Sequence, residues 1–233
     1  MTFFAHCART VCSFVVLCSA ATAFAADISF TVRDQFGKPL ADAVIELENN
    51  ANSPSTQLPI AIMDQVDKQF SPNVLVIQQG QSVDFPNSDN IRHHVYSFSS
   101  AKPFNIRLYA DRPEKPELFD NSGVVVLGCN IHDSMVGYIY VANSANTLKT
   151  AEDGKVQLKG ITVPTSITIW HPNQASEINK KLSVTVTEQV ADITINTNEP
   201  APRNTFGEMF KADNDSEFKR ADHSLMRKPR FIN

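Results

Sequence analysis

Cys129, His132 and Met135 follow one another at intervals of three residues, and a histidine pair, His93-His94, precedes them. A thiolate, two imidazoles and a thioether form the ligand set of mononuclear blue-copper electron-transfer sites, in which the thioether is a weak ligand. Zinc sites combine cysteine and histidine with carboxylates rather than with methionine. The residue types therefore predict one copper site. The alternative is that Cys129 is only a small buried core residue.

Cys129 is the only cysteine that we expect in the mature chain. The other three of the four cysteines precede residue 19, in a segment with the pattern of a secretory signal peptide. An apolar run at 11–21 is too short to span a bilayer and is followed by the small-x-small sequence at 23–25. We predict a signal peptide over 1–26 and export to the periplasm. Since a lone thiol is a liability in an oxidising compartment, a ligand role is the leading interpretation.

Short segments with alternating apolar and polar residues dominate the rest of the chain. The clearest lie at 28–32, 74–77, 83–85, 167–170 and 182–186. Turn-forming residues separate them, and no long segment has a helical period. This pattern predicts an all-β fold of antiparallel β-sandwiches, and the length suits two of them better than one.

Several function classes lack their motifs. The sequence has no glycine-rich phosphate loop, no CxxC pair and no Gly-x-Ser-x-Gly elbow. It also lacks the His-x-His clusters that multicopper oxidases and nitrite reductases need. A net charge of −4 gives no reason to expect nucleic-acid binding. We therefore predict a protein that is not an enzyme and has no membrane span after the signal peptide.

Residues 59–142 resemble the cupredoxins. The resemblance rests on Phe85-Pro-Asn87-Ser-Asp89 running into His93, and on the Cys-x2-His-x2-Met spacing of the later loop. That spacing is similar to the short loop of amicyanin, and the segment looks like periplasmic plastocyanin-like proteins labelled methylamine utilisation proteins. The resemblance implies a Greek-key cupredoxin sandwich with one type 1 copper. It also implies single-electron transfer between partners such as a c-type cytochrome or a periplasmic oxidoreductase.

The resemblance also ranks the two adjacent histidines. Family members have a His-Asn-Val sequence, so Val95 aligns His93 with the copper ligand. His94 then takes the place of an asparagine that braces the ligand loop, and Asn130 is its predicted partner. Because successive side chains of a strand point to opposite faces, only one ring can readily bind. His94 remains the alternative ligand.

The loop histidine has a second predicted role. In the resembling proteins it shows one ring edge to solvent within an apolar patch, where electrons enter and leave. Asp133 follows His132 here, whereas amicyanin-like loops are more apolar. Asp133 either contributes a polar docking face for a basic partner or only solvates the loop.

The flanking segments resemble a second kind of sandwich. Residues 27–58 and 143–198 are similar to transthyretin-like, carboxypeptidase-regulatory-like domains, through the turn at Gly37-Lys-Pro39 and the later Asp153-Gly154. We expect the copper domain to be inserted between two pieces of one small sandwich. The alternative is that the N-terminal hairpin extends the copper domain. Residues 199–233 are predicted to form a polar, flexible tail.

Three functions are compatible with these residues. The first is an exported electron carrier with a blue-copper centre. The second is a periplasmic copper carrier or chaperone, which usually has exposed Met- or His-rich runs that this chain lacks. The third is a structural β-sandwich binding module that has lost its metal, against which the intact ligand set argues.

Overall fold

The structure is a computed structural model that describes residues 26–48 and 58–198, and these residues form seventeen strands and no helix. The first nine strands are β1 Ala26–Asp34, β2 Val44–Leu47, β3 Ala61–Ile62, β4 Asp64–Val66, β5 Gln69–Ser71, β6 Val74–Gln78, β7 Gln81–Asp84, β8 His93–Ser97 and β9 Phe104–Tyr109. The other eight are β10 Glu117–Phe119, β11 Gly123–Cys129, β12 His132–Ala142, β13 Thr147–Lys149, β14 Lys155–Ile161, β15 Thr165–Trp170, β16 Leu182–Val186 and β17 Val190–Ile195.

Two of the predicted segments lie outside the described residues. They are residues 1–25 of the predicted signal peptide and the predicted tail at 199–233. Among the described residues, no helix is long and apolar enough to cross a membrane.

Strands β3–β12 form one sandwich, here called the central sandwich. One sheet has the order β6-β12-β11-β8-β9 and the other the order β10-β7-β3, while β4 and β5 pair as a separate hairpin. The chain crosses repeatedly between the two sheets, which is a Greek-key path. Alternate residues of β8 and β11 point into the core, where fully buried side chains such as Leu127 and Ile139 each contribute about 1.5–3 kcal/mol.

The longest strand, β12, is the backbone of the central sandwich. It pairs with β11 in antiparallel register from Gly123↔Val141 to Cys129↔His132, with one irregularity between Gly128 and Cys129. A Cβ atom on Gly137 would lie 2.6 Å from Cβ of Phe70. Only glycine therefore lets β5 pack directly against β12.

The flanking strands form a second sandwich, here called the flanking sandwich. Its sheets have the orders β14-β1-β17 and β13-β2-β15-β16. Both strands from residues 26–48 thus pair only with strands that follow the central sandwich. The predicted fold class, all-β with a Greek-key sandwich and a second sandwich from the flanks, is confirmed.

Strand direction is less uniform than predicted. Most pairs are antiparallel, but β1–β17, β3–β7 and β6–β12 are parallel. These partners are distant in sequence and are joined by crossovers, so no hairpin turn forces them to be antiparallel.

An apolar cluster joins the two sandwiches. Trp170 of the flanking sandwich is fully buried, and its ring centroid lies 5.7 Å from that of Tyr138 and 5.8 Å from that of Tyr140. Val44 and Val124 belong to the same cluster. The indole nitrogen of Trp170 donates to a backbone carbonyl at 2.7 Å, so its polar atom is satisfied.

A glutamate, Glu46, lies at this contact. Its carboxylate accepts hydrogen bonds from the Tyr140 hydroxyl at 2.6 Å, from the backbone N–H of Asn143 at 2.6 Å and from that of Ser144 at 3.0 Å. The Lys181 ammonium lies 2.8 Å away. Burial raises the pKa of Glu46, but Lys181, Tyr140 and Asn143 together outweigh it, so the pKa lies below its ordinary value.

We expect Glu46→Gln to lower the free energy of unfolding by about 3 kcal/mol, because it leaves a partly buried Lys181 without its counter-charge. The glutamine side chain has only one oxygen, whereas the Glu46 carboxylate offers two oxygens to the Tyr140 hydroxyl, the Lys181 ammonium and the two backbone N–H groups. Chemical denaturation measures the change. The matched control is Glu48→Gln, since among the described residues the carboxylate of Glu48 bonds only the hydroxyl of Ser183 at the surface, and a change within about 0.5 kcal/mol is expected.

The pH dependence supplies a second check of the same prediction. A carboxyl with a depressed folded-state pKa stabilises the fold above its unfolded-state pKa, and this stabilisation is lost as pH falls through the folded-state pKa. The stability difference between wild type and Glu46→Gln should therefore be full at pH 7 and shrink below about pH 4.3, the ordinary glutamate pKa. A difference that is constant from pH 7 to pH 3 would contradict this role.

Candidate metal centre

His93 is the first residue of β8 and is fully buried. Alternation along β8 directs His93, Val95 and Ser97 into the core of the central sandwich, whereas His94 and Tyr96 face outward. The strand thus separates the two adjacent imidazoles onto opposite faces of the sheet.

Cys129 and His132 are held opposite each other by a tight hairpin. They end β11 and begin β12, and only Asn130 and Ile131 lie between them. In the ladder, Cys129 pairs directly with His132. A two-residue turn fixes this register, so the thiol and the imidazole meet at the end of the sheet.

Three donor atoms converge at this end of the sandwich. The Sγ atom of Cys129 lies 3.8 Å from Nδ1 of His93 and 3.8 Å from Nδ1 of His132. All three donors lie within 4.8 Å of one another. Met135, three residues after His132, is 1% exposed and belongs to the same buried cluster as Cys129.

The donor set fits copper. A thiolate and two imidazoles suit several transition metals, but among the described residues no carboxylate joins this group of donors, and the thioether of Met135 belongs to the same buried cluster as Cys129. Soft sulfur ligands favour copper, whereas zinc sites use cysteine, histidine and carboxylates. His93 and Cys129 are buried and His132 is partly exposed, so an ion here would be largely shielded from water.

His94 lies outside this group. Its Nε2 atom contacts Oδ1 of Asn105, and its ring centroid lies 5.7 Å from that of Tyr96 on the outer face of the sheet. The predicted contact of His94 with Asn130 is replaced by this contact with Asn105, because β9 is the neighbour of β8. Asn130 itself is exposed in the hairpin turn.

Asp133, the predicted docking residue, is exposed immediately after His132. The side chain of Ile131 on the other side of His132 is 49% exposed. The exposed edge of the site therefore combines one apolar and one acidic side chain.

The packing next to Cys129 depends on Gly128. A Cβ atom there would lie 2.7 Å from the Tyr96 ring. Because glycine has no side chain, the ring lies directly against β11, where Gly128 pairs with Tyr96. This contact keeps β8, which carries His93, close to β11, which carries Cys129.

Asp89 contacts one of the three donor residues, and the sequence did not predict this contact. Its Oδ2 atom lies 2.6 Å from Nε2 of His93, the ring nitrogen that faces away from Cys129. Burial raises the pKa of Asp89, but hydrogen bonds from Lys68, His93 and Asp67 outweigh it, so the pKa lies below its ordinary value. The available signal was an acidic residue four positions before His93, which was interpreted only as part of the cupredoxin-like motif.

His171 provides a contrast within the same protein. It is buried in the flanking sandwich, where Nε2 donates to the carbonyl of Ala41 at 3.0 Å and Nδ1 accepts from the N–H of Asn173 at 3.1 Å. Burial lowers its pKa. Both ring nitrogens are occupied by backbone groups, so His171 is a structural histidine.

Comparisons with known proteins locate partial structural neighbours. No family model matches the chain, and no curated protein matches it. A Cu-containing nitrite reductase (NirK) from Thermus scotoductus SA-01 is 26% identical, with a TM-score of 0.34, over 37% of this chain and 23% of that chain. A purple cupredoxin from Nitrosopumilus maritimus is 23% identical, with a TM-score of 0.32, over 35% of this chain and 99% of that chain.

A mutant of amicyanin in its reduced Cu(I) form is 16% identical, with a TM-score of 0.32, over 43% of this chain and 98% of that chain. The chain thus spans less than a quarter of the nitrite reductase that it resembles. These structural neighbours are cupredoxins, and the narrower resemblance to methylamine utilisation proteins finds no support among them.

The positions of the two adjacent histidines generate a prediction. His93→Ala should weaken copper binding by more than about 100-fold, since losing a ligand costs more than the roughly 10–100-fold effect of losing a ligand's hydrogen-bond partner. His94→Ala should change it by no more than a few-fold. Competition with a chelator of known affinity measures both. Loss of binding in His94→Ala, with His93→Ala unaffected, would reverse the assignment.

Proposed function

We propose that this chain is an exported type 1 copper protein that carries single electrons between redox partners. His93, Cys129, His132 and Met135 would hold the ion. The observation that carries the proposal is the convergence of a thiol and two imidazole Nδ1 atoms at 3.8 Å beside a buried methionine. When bound, copper would supply reversible one-electron oxidation and reduction.

The chain's own residues suit this role because they come from rigid elements. His93 is fixed by β8, and the hairpin of β11 and β12 holds Cys129 and His132. Donors held by paired strands change position little, so the site would reorganise little between oxidation states. Burial of Cys129 also keeps the thiol away from solvent and oxidants.

The exposed edge of the site is the proposed route for electrons. His132 is partly exposed, while His93 is fully covered. A redox partner that docks over Ile131 and His132 would be separated from the donors only by the His132 ring, whereas a partner on another face would be separated from them by the core of the sandwich. The protein would accept and release electrons without converting a substrate.

The alternative function is a copper carrier or chaperone. Carriers release their ion by exchange through exposed ligands, whereas the described ligands here are mostly buried. A rate of copper transfer to a competing chelator that is fast on the scale of seconds would favour the carrier. Absence of copper binding would leave only a structural β-sandwich module.

The experiment that tests this proposal is a titration of the mature protein with Cu(II), followed by optical and EPR spectroscopy. We expect an intense visible thiolate-to-copper charge-transfer band, because Cys129 Sγ is the sulfur at the centre of the donor group. Cys129→Ser should abolish this band, while His94→Ala should retain it. A weak, ordinary Cu(II) spectrum in the wild type would contradict the proposal.

Asp133 yields a separate prediction about partners. If a basic c-type cytochrome is the partner, Asp133→Asn should lower the electron-transfer rate at low ionic strength and weaken the dependence of that rate on salt. The reason is that Asp133 would attract the basic partner, and salt screens this attraction beyond about 10 Å at 0.1 M ionic strength. Stopped-flow mixing with a basic cytochrome c as probe measures both. An unchanged salt dependence would show that Asp133 only solvates the loop.

A further inference from the structure

The fully buried ring of His93 has two nitrogens, and each faces a different group. Nδ1 lies 3.8 Å from the Cys129 sulfur, and Nε2 lies 2.6 Å from Oδ2 of Asp89. An ionised carboxylate can only accept, so the hydrogen bond requires the proton of a neutral His93 to be on Nε2. The lone pair then lies on Nδ1, on the side of the metal centre.

The Asp89 carboxylate is itself held in place by a turn. Asp67 and Lys68 connect β4 to β5 and have φ values of 53° and 60°. This left-handed conformation at both central residues is that of a type I′ hairpin turn. Their N–H groups donate to the carboxylate, from Asp67 to Oδ1 at 2.7 Å and from Lys68 to Oδ2 at 2.9 Å.

The backbone around Asp89 is fixed as well. The N–H of Asp89 donates to Oδ1 of Asn87 at 3.0 Å, and the amide nitrogen of Asn87 donates to the carbonyl of Ile91 at 2.8 Å. The neighbouring Ser88 hydroxyl bonds Asp64 at 2.8 Å. The loop that precedes β8 is therefore cross-linked to the β4–β5 hairpin.

Among the side chains that the structure describes, His93 is the ionic partner of Asp89. Among the described residues, no lysine or arginine nitrogen lies within 4.0 Å of this carboxylate, and His93 is its only side-chain ionic partner. The carboxylate is 13% exposed, so water screens it only in part. His171 also carries its proton on Nε2, but it donates to the neutral backbone carbonyl of Ala41. A buried histidine ring can therefore be oriented without a charged partner.

We propose that Asp89 is a positioning residue for the metal centre, which fixes the proton of His93 on Nε2 and so presents Nδ1 to the ion. This inference rests on the proposed function of the site as a metal centre. A carboxylate behind a ligating imidazole increases the basicity of the ligand. It therefore strengthens metal binding and favours Cu(II) over Cu(I), so it lowers the reduction potential.

The test compares Asp89→Asn with the matched control Asp64→Asn. Both changes remove one negative charge from the unit formed by the loop before β8 and the β4–β5 hairpin, but of the two residues only Asp89 contacts His93. In Asp89→Asn, the N–H groups of Asp67, Lys68 and His93 share one neutral oxygen. We expect the affinity for Co²⁺, used as the probe, to fall about 10–100-fold and the reduction potential of the copper form to rise. Asp64→Asn should change the affinity by less than about twofold.

A measurement on the metal-free wild type needs no variant and covers the case in which Asp89→Asn does not fold. Nitrogen-15 NMR of the histidine rings reports the protonated nitrogen of each neutral ring. We expect His93 to carry its proton on Nε2, and observation of the Nδ1-protonated form would overturn the proposal. So would equal affinities and potentials in Asp89→Asn and wild type.

These results also separate the two proposals. If the copper spectrum lacks the charge-transfer band but Co²⁺ affinity still depends on Asp89, the electron-transfer function fails and the positioning role stands. If the band is present and Asp89→Asn has the affinity and the reduction potential of the wild type, the function stands and the positioning role fails.

Discussion

The antiparallel pairing of β11 with β12 is the interaction on which both ends of the molecule depend. At one end of this ladder the two-residue turn places Cys129 opposite His132, with Met135 three residues further along β12. At the other end, the outer face of β12 presents Tyr138 and Tyr140 to Trp170. The same strand therefore carries donors of the candidate centre and the contact between the sandwiches. A slip of one residue would turn both sets of side chains to the wrong face.

Each end also contains a polar network built around a carboxylate, and the hydrogen bonds to that carboxylate offset the cost of removing it from water. A buried polar group without a partner costs several kcal/mol, so such networks stabilise a fold only when every member is satisfied. Next to the metal donors, the Asp89 carboxylate accepts from Nε2 of His93 and from the two N–H groups of the β4–β5 turn. Between the sandwiches, Glu46 is satisfied by Tyr140, Lys181 and two backbone N–H groups. Both carboxylates are reached by partners from distant parts of the chain, which ties the sandwiches and loops into fixed relative positions.

Much of this fold could be predicted from the sequence because its local signals agree. The alternating segments at 28–32, 74–77, 167–170 and 182–186 all lie in strands, since a half-buried strand imposes a period of two on its side chains. Most of the segment at 83–85 lies in β7. Alternation also separated His93 from His94, and the structure places only His93 beside Cys129. The spacing of Cys129 and His132 implied proximity because so short a segment can fold back in only a few ways.

The features that were not predicted depend on which strands become neighbours. Asp89 meets the N–H groups of Asp67 and Lys68 only because β4–β5 folds over the loop before β8, and nothing local in either segment encodes that contact. His94 meets Asn105 rather than Asn130 for the same reason, since β9 and not the hairpin turn lies beside its face. Glu46 would have been assigned to the surface of a strand, because its partner Lys181 lies 135 residues away. Partners of this kind follow from topology, which periodicity does not determine.

The geometry of the site implies that the protein positions the donors before any ion binds. Crystal structures of the metal-free and the copper-loaded protein test this most directly. We expect the same positions for His93, Cys129, His132 and Met135 in both structures, with His93 bonded to Asp89 in each and copper between the donors in the loaded protein. A copper ion bound through His94, or a His93 ring that leaves Asp89 when copper binds, would contradict it.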